Sequence, residues 1–402
     1  MRPVVVFGDG DVARASLESF ARESIPTILL YTRSDDYARY SRFADKWVRL
    51  HPPLEREYEA IDTILNETQL PNGALLFPCT DAALALTSRY RDALARRFVP
   101  FAPPWEILSR LLDKGELYRL AAGNGVHCPR VHQPRSLRDL EKWPAESDFP
   151  VMVKPCLSHL FFPVFGQKLI ICENPDALRG ALSVALEKGL EVLVSEVIPG
   201  PDSSLFQYRC YVDSCGSVRS EAFLQKLRQY PAGFGVGCYA RSTETVPEIR
   251  EATLAILNSL DFKGLVTAEF KHDSRDGLYK LIEINTRTVL QETLFTRAGA
   301  NFPLLAYRDL VEGSFSPVLG SGRQVYWQHN FLELARLLYL RDLQPGAYLA
   351  GLARRNVGCV SFFTDPGAYL AKVRQYWIEY RRARGARAGT GRTLPVASSE
   401  KA

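Results

Sequence analysis

Long apolar runs are missing from this chain. No hydrophobic stretch reaches the roughly 18 residues that crossing a bilayer needs, which excludes a helical membrane span. The opening MRPVVVFGDG is too short and too poorly flanked for a secretion signal, so a cytoplasmic protein is expected. Paired cysteines are missing too. The eight cysteines lie scattered without a C-x-x-C pair, in a chain of 402 residues that has no need of disulfide staples, and they read as buried thiols. The six histidines form no H-x-x-x-H or Cys/His group at zinc spacing, which argues against a transition-metal site and leaves open an ion bound by oxygen. Net charge is scarce outside one end. Residues 381–402 hold six basic side chains against the single acid Glu400, so the whole formal charge of +5 sits there. The body is neutral, no nucleic-acid partner is expected, and the tail reads as disordered and solvated.

What is present is ordinary for a soluble chain of two or three domains, with 46% hydrophobic and 24% charged residues. Residues 4–7, VVVF, precede a glycine turn, a helical pattern and the strand-like IPTILLYT, the order of a βαβ unit that opens a doubly wound parallel sheet. GALLFPCTDAALAL repeats the pattern, with Thr80 or Asp81 as the cap of its helix. Gly8, Gly10 and Ala13 match G-x-G-x-x-A, a weak signal for a dinucleotide, because the second strand ends in LLYTRSDD with no acid at its tip for a ribose. The same turn could equally seat a carboxylate or another anion at a helix N-terminus. Residues 174–189 carry helix punctuation at both ends, Pro175 and Asp176 at the start and Gly189 at the stop. From about residue 190 the strand candidates follow one another as hairpins, so the expected fold class is α/β followed by α+β.

One row of polar residues is conspicuous. In YKLIEINTRT, Glu283, Asn285 and Arg287 fall at every second position, and on a strand they would line one face while Ile282 and Ile284 enter a core. Alternation alone fits an ordinary strand with one wet face equally well. In LVTAEFKHD, Glu269 alternates the same way, and a hairpin through HDSRDGL would bring it beside Glu283 and Asn285. Two carboxylates and an amide oxygen together call for a cation, and hard oxygens suit Mg²⁺, with exposed carboxylates neutralised by Arg287 or Lys271 as the plainer alternative. Lys154 ends the strand VMVKP, where Val151 and Val153 would anchor its ammonium, and Lys168 and Lys226 are further cations for phosphate.

The ordered set VKP, GQK, VSEVIPG, EFK and IEINTR resembles the ATP-grasp superfamily, in particular its carboxylate-amine ligase branch, over about residues 1–310. The resemblance implies a pre-ATP-grasp Rossmann-like α/β domain over 1–112 and a two-lobed ATP-grasp domain, its first lobe at 113–190 and its second, with the metal site, at 191–310. A helical and turn extension at 311–380, able to pack on the core or to form a homodimer seam, and the basic tail 381–402 complete the expected layout. ATP and Mg²⁺ or Mn²⁺ are the implied cofactors. Lys114 and Lys154 resemble the two nucleotide lysines. Glu196 with the backbone of Val197 and Ile198 resembles the adenine hinge, and Asp202 the ribose acceptor. Glu269, Glu283 and Asn285 resemble the metal ligands, and Arg287 the arginine that steadies the transferred phosphoryl group, with Lys226 and Arg228 as further catalytic contacts. The loop PCLSHLFFPVFGQK departs from the glycine-rich pattern of the family, so Ser158, His159 and Lys168 are expected to replace glycine backbone at the phosphates.

The implied reaction activates a carboxylate as an acyl phosphate, releases ADP and joins the carboxylate to an amine, an amino acid by class. The substrates are small molecules. A carboxylase acting through carboxyphosphate and a non-catalytic nucleotide-binding module are the alternatives.

Overall fold

Val4, Val5, Val6 and Phe7 are all fully buried, because the strand they form lies at the centre of a sheet covered on both faces. In the computed structural model, which describes residues 1–141, 149–156, 161, 164–167, 169–313, 324–339, 346 and 356–387, this strand is β1 (Val4–Phe7). It joins β2 (Thr27–Tyr31), β3 (Lys46–Arg49), β4 (Leu75–Pro78) and β5 (Val99–Pro100) in the parallel order β3-β2-β1-β4-β5. Val4 and Val6 pack toward helix α1 (Gly10–Ala21), and Val5 and Phe7 toward the opposite face. The strand order turns round between β1 and β4, so the loops after these two strands flank a topological switch point. They touch there. A Cβ on Gly8, whose φ is +152°, would lie 3.1 Å from Cys79 Cβ and 3.2 Å from Thr80 Cγ2.

The second sheet holds β6 (Val131–His132), β7 (Val151–Pro155), β8 (Ile170–Cys172) and β9 (Val192–Glu196) in the antiparallel order β6-β9-β7-β8. Helix Pro175–Glu187 backs it, and Asn174 caps that helix by accepting from the Ala177 amide at 2.9 Å. The third sheet has seven strands, β10 (Leu205–Val212), β11 (Val218–Tyr230), β12 (Val236–Thr243), β13 (Gly264–His272), β14 (Tyr279–Asn285), β15 (Tyr326–Gln328) and β16 (Asn356–Gly358), in the order β14-β13-β10-β11-β12-β15-β16. Its pairs are antiparallel except β15 with β16. Helix Pro247–Ser259 covers the face carrying Tyr208, Val266, Phe270, Leu281 and Ile284.

Three local features depart from the expected pattern. Residues after 311, read from sequence as helices and turns, add β15 and β16 to the large sheet, three residues each and too short for a period to show. Strand β14 stops at Asn285, so Arg287 lies past its end instead of on one rigid row with Glu283 and Asn285. A register shift between Glu269 and Phe270 leaves Ile282 as an extra residue opposite β13, and Leu281 with Ile284 enters the core in place of Ile282.

Buried ion pairs fix the helices to these sheets. Arg209 on β10 and Glu292, the first residue of helix Glu292–Arg297, are both fully buried and hydrogen-bonded, and Arg209 also donates to Thr267 Oγ1 at 2.9 Å. The first and last described helices meet in a second cluster. Asp11 in the first turn of α1 accepts from Lys372 Nζ, from the Tyr37 hydroxyl and from Cys359 Sγ at 2.9 Å, with His329 Nε2 at 3.2 Å. Burial works against the Asp11 charge, but Lys372 and His329 outweigh it and hold the carboxyl well below the usual range. Asp11, His329 and Cys359 thus converge from positions far apart in sequence, within 4.8 Å of one another, as metal ligands would. The Lys372 ammonium bonded to Asp11 supplies the positive charge there.

Arg209→Ala leaves Glu292 buried without its cation, and a loss of about 3–5 kcal/mol in unfolding free energy is expected from urea titration. A loss below about 1 kcal/mol would show that the pair is not what holds helix Glu292–Arg297 in place.

Candidate active site

Strand register places Gln207, Glu269 and Glu283 directly opposite one another on β10, β13 and β14. Two carboxylates on facing cross-strand positions repel, and the surrounding groups answer that repulsion. Lys226 on β11 donates to Glu269 Oε2 at 2.5 Å, and Gln207 Nε2 donates to the same oxygen at 2.8 Å. The Gln207 Oε1 acceptor is buried beside them with no hydrogen-bond partner. Asn285 Nδ2 donates to Glu283 Oε1 at 2.9 Å. Gly237 on β12 makes room for the lysine stem, since a Cβ there would lie 3.3 Å from Lys226 Cδ. Burial alone would raise the Glu283 pKa, but Lys114, Lys226, the Asn285 amide and Arg287 together lower it below the ordinary glutamate value.

Across from this row stands Lys154, near the end of β7. Its ammonium is buried, donates to the Tyr118 hydroxyl at 2.8 Å and lies 4.7 Å from that ring centre. Tyr118 in turn donates to the Ile282 carbonyl at 2.9 Å, which ties the second sheet to the strand carrying Glu283. Burial and the nearby charge of Lys114 push the Lys154 pKa from 10.5 down to about 7, with Glu283 opposing them. Lys114 opens helix Lys114–Gly123, whose N-cap Asp113 accepts from the Glu116 amide at 2.8 Å. The structure therefore gathers Lys114, Lys154, Lys226, Glu269, Glu283 and Asn285 around one space between the second and third sheets.

Arg287 leaves that space for the switch point of the first sheet. Its Nε and one terminal nitrogen donate to both oxygens of Asp81, at 2.5 and 2.8 Å, and Asp81 begins the helix Asp81–Arg89. The GDGD turn beside it is not an open anion seat. Asp36 Oδ1 already accepts from the Gly10 amide at 3.0 Å, and Asp9 accepts from the amides of Thr32 and Arg33 at 3.0 and 2.9 Å. Burial and Asp9 push the Asp36 pKa up to about 7. The protein's own carboxylate fills the place that a dinucleotide or anion reading of the turn would need.

Other expected residues are differently engaged. Glu196 ends β9, but its carboxylate accepts from the Arg130 amide and from Arg275, each at 2.8 Å, so the side chain belongs to an ion cluster with Arg275, Lys280 and Asp273. Val197 and Ile198 follow directly after the strand, half-buried and buried. Asp202 accepts from the Gln229 amide at 2.8 Å and from Gln229 Nε2 and the Gly233 amide at 2.9 Å, which makes it the anchor of the turn after β11 instead of a free ribose acceptor. Arg228 turns away from the acidic row. It forms a two-pronged pair with Glu333 at 2.6 and 3.0 Å and stacks 4.1 Å from the Tyr239 ring centre. Register shifts on either side of Arg228 break the alternation that would have put it beside Lys226. Ser158, His159 and Lys168 lie outside the described residues. Gln207 and Tyr118 were not anticipated, and Asp81 was expected only as a helix cap, a place Thr80 takes by accepting from the Ala83 amide at 3.3 Å. The only sequence signal for Gln207 is its alternation within FQYRCYV, and for Tyr118 its position one helical turn after Lys114.

No family model matches the chain. Over 287 residues it is 25% identical to the D-aspartate ligase of Enterococcus faecium (strain Aus0004), spanning 68% of each chain. Among solved structures, the L-amino acid ligase of Bacillus licheniformis superposes with a TM-score of 0.60 at 17% identity, covering 81% of this chain and 79% of that one. The biotin carboxylase domain dimer of Hydrogenobacter thermophilus 2-oxoglutarate carboxylase, solved with MgADP, ADP and bicarbonate, superposes with a TM-score of 0.60 at 17% identity, covering 81% and 74%.

Lys154 also predicts a pH effect. Because its folded pKa is depressed from 10.5 to about 7, the unfolded chain takes up this proton first, and the lysine costs stability increasingly as pH falls through that window. Thermal melts of Lys154→Met against the parent protein should show the variant gaining relative stability between pH 10.5 and 7, then a constant gap below. A gap independent of pH would place the ammonium in solvent.

Proposed function

We propose that this chain, which has the ATP-grasp fold, is an ATP-dependent carboxylate-amine ligase that passes through an acyl phosphate and takes an amino acid as one of its substrates. The observation that carries this reading is the opposed pair Glu269 and Glu283, faced across the cleft by Lys154 and Lys114. The likeness to a D-aspartate ligase and the fold shared with an L-amino acid ligase support it.

The acidic row fits a divalent cation, since facing carboxylates need added positive charge and Gln207 Oε1 is a buried acceptor without a donor. Glu269, Glu283 and Asn285, with Gln207 beside them, would hold Mg²⁺, and Mn²⁺ suits the same oxygen donors. The ion supplies charge neutralisation on the phosphate oxygens of ATP. Lys114 and Lys154 meet the phosphates from the other side, and contact with phosphate would return Lys154 to its charged form. A substrate carboxylate oxygen attacks the γ-phosphorus, the bond from that phosphorus to the β,γ-bridging oxygen breaks, and ADP leaves. The amine then adds to the carbonyl carbon, the carbon–oxygen bond to phosphate breaks, and the amine gives up a proton. Arg287, paired with Asp81, is the donor that this reading assigns to the charge on the tetrahedral intermediate.

Two experiments test this. Glu283→Gln keeps the fold, with an unchanged melting temperature, while Mg-ATP-dependent ADP release drops about 100-fold or more. Full turnover in that variant would remove Glu283 from the metal site. In the second, hydroxylamine, Mg-ATP and pooled carboxylic and amino acids are combined with and without bicarbonate. Pool-dependent ADP together with a hydroxamate is the expected result. ADP that appears only with bicarbonate would make the protein a carboxylase, and nucleotide binding without ADP in any pool would make it a non-catalytic module.

A further inference from the structure

The helix Pro366–Arg387 is anchored to the described body through Ala368, Tyr369, Lys372 and Tyr376. Ala368 is fully buried, Lys372 reaches Asp11 and lies 3.3 Å from His329 Nε2, and Tyr369 and Tyr376 pack on Phe331 with ring centres 5.5 and 4.8 Å apart. The opposite face carries Leu370, Val373, Arg374, Trp377, Ile378 and Arg381, spaced as one helical stripe and exposed to solvent. Leu370 is 58% exposed and Trp377 59%, and just before the helix Phe363 is 92% exposed. Large apolar side chains grouped this way on an outer face mark a contact surface.

We propose that this face is a docking surface for a bilayer containing anionic lipids, on which the helix lies flat. Charge decides between occupants. The exposed charges among the described side chains of the helix are Arg374 and Arg381, and the sequence adds Arg382, Arg384, Arg387 and Arg392 against the single acid Glu379 over the same stretch. A second copy docking through the same face would bring arginines toward arginines with no acid in the stripe to meet them. An anionic headgroup layer meets Arg374 and Arg381 while Leu370, Trp377 and Phe363 enter the acyl boundary. Trp377 beside arginine is the pairing that a membrane interface favours, since the ring is apolar with one polar edge and the guanidinium can reach back to the headgroups. No helix among the described residues is long and apolar enough to cross, so the attachment is peripheral. The Lys372 pair with Asp11 keeps the stripe outward by fixing the rotation of the helix.

The test is co-sedimentation of the full chain with phosphatidylcholine vesicles and with equimolar phosphatidylcholine and phosphatidylglycerol vesicles. Binding is expected on the anionic vesicles only, weakening as salt is raised from about 0.1 M to about 0.5 M. The variant carrying Leu370→Ser and Trp377→Ser, and separately the variant carrying Arg374→Gln and Arg381→Gln, should each lower the partition coefficient about tenfold. Both pairs change exposed positions, and unchanged melting temperatures check that the fold is kept. Tryptophan emission should shift to the blue on anionic vesicles in the parent protein but not in Trp377→Phe. No binding at low salt overturns the proposal, as does equal binding to both vesicle types. So does a dimer in solution that Trp377→Ser dissociates while vesicles bind nothing.

Discussion

Two carboxylates, Glu269 and Glu283, face each other on adjacent strands, and the architecture around them answers their repulsion. Lys226 comes from the third strand along, Gln207 from the strand between, Asn285 from two residues further on, and Lys114 from a helix before the second sheet. Each contributes positive charge or a donor at a fixed distance. The result is a Glu283 carboxyl held below the ordinary glutamate value, because the cations and the Asn285 amide outweigh the desolvation that would raise it. Lys154 faces the complementary cost. Its own burial and a neighbouring lysine work against its charge, so it is poised to gain a proton when an anion arrives.

The three sheets divide this labour. The large antiparallel sheet supplies the acids, the small one a lysine over them, and the parallel sheet a switch point where two loops lie in contact at Gly8 and Thr80. Two bridges join them. Tyr118 spans from Lys154 to the backbone of Ile282, and Arg287 spans from the end of the acidic strand to Asp81. Both bridges begin within a few residues of Glu283, so displacement of either lobe is felt first at the acids.

Much of this was legible in the sequence, and the exceptions share a cause. Alternation identified β13 and β14, their pairing and the meeting of Glu269 with Glu283, because polar and apolar residues alternate along both strands, although both faces of β13 are buried. Alternation fails at a bulge. The shifts beside Glu269 and around Arg228 each break the period, which moved Ile282 off the core and sent Arg228 to Glu333. The engagement of Asp202 and Glu196 was hidden for another reason. Their partners Gln229, Gly233, Arg130 and Arg275 lie dozens of residues away, and a residue type cannot reveal which donors the fold brings to it. The three-residue strands β15 and β16 are too short to carry any period, and the residues after Pro155 that were expected at the phosphates fall outside the described chain.

The buried Asp11 has a consequence for the order in which the molecule is made. This carboxylate is translated at least 318 residues before His329, Cys359 and Lys372, which surround it. Until they emerge from the ribosome, the first turn of α1 carries a charge that cannot be taken out of water without its cation. The parallel sheet is thus translated before the other two and sealed only after them, and a nascent chain that stalls before Lys372 leaves the first turn of α1 without its cation.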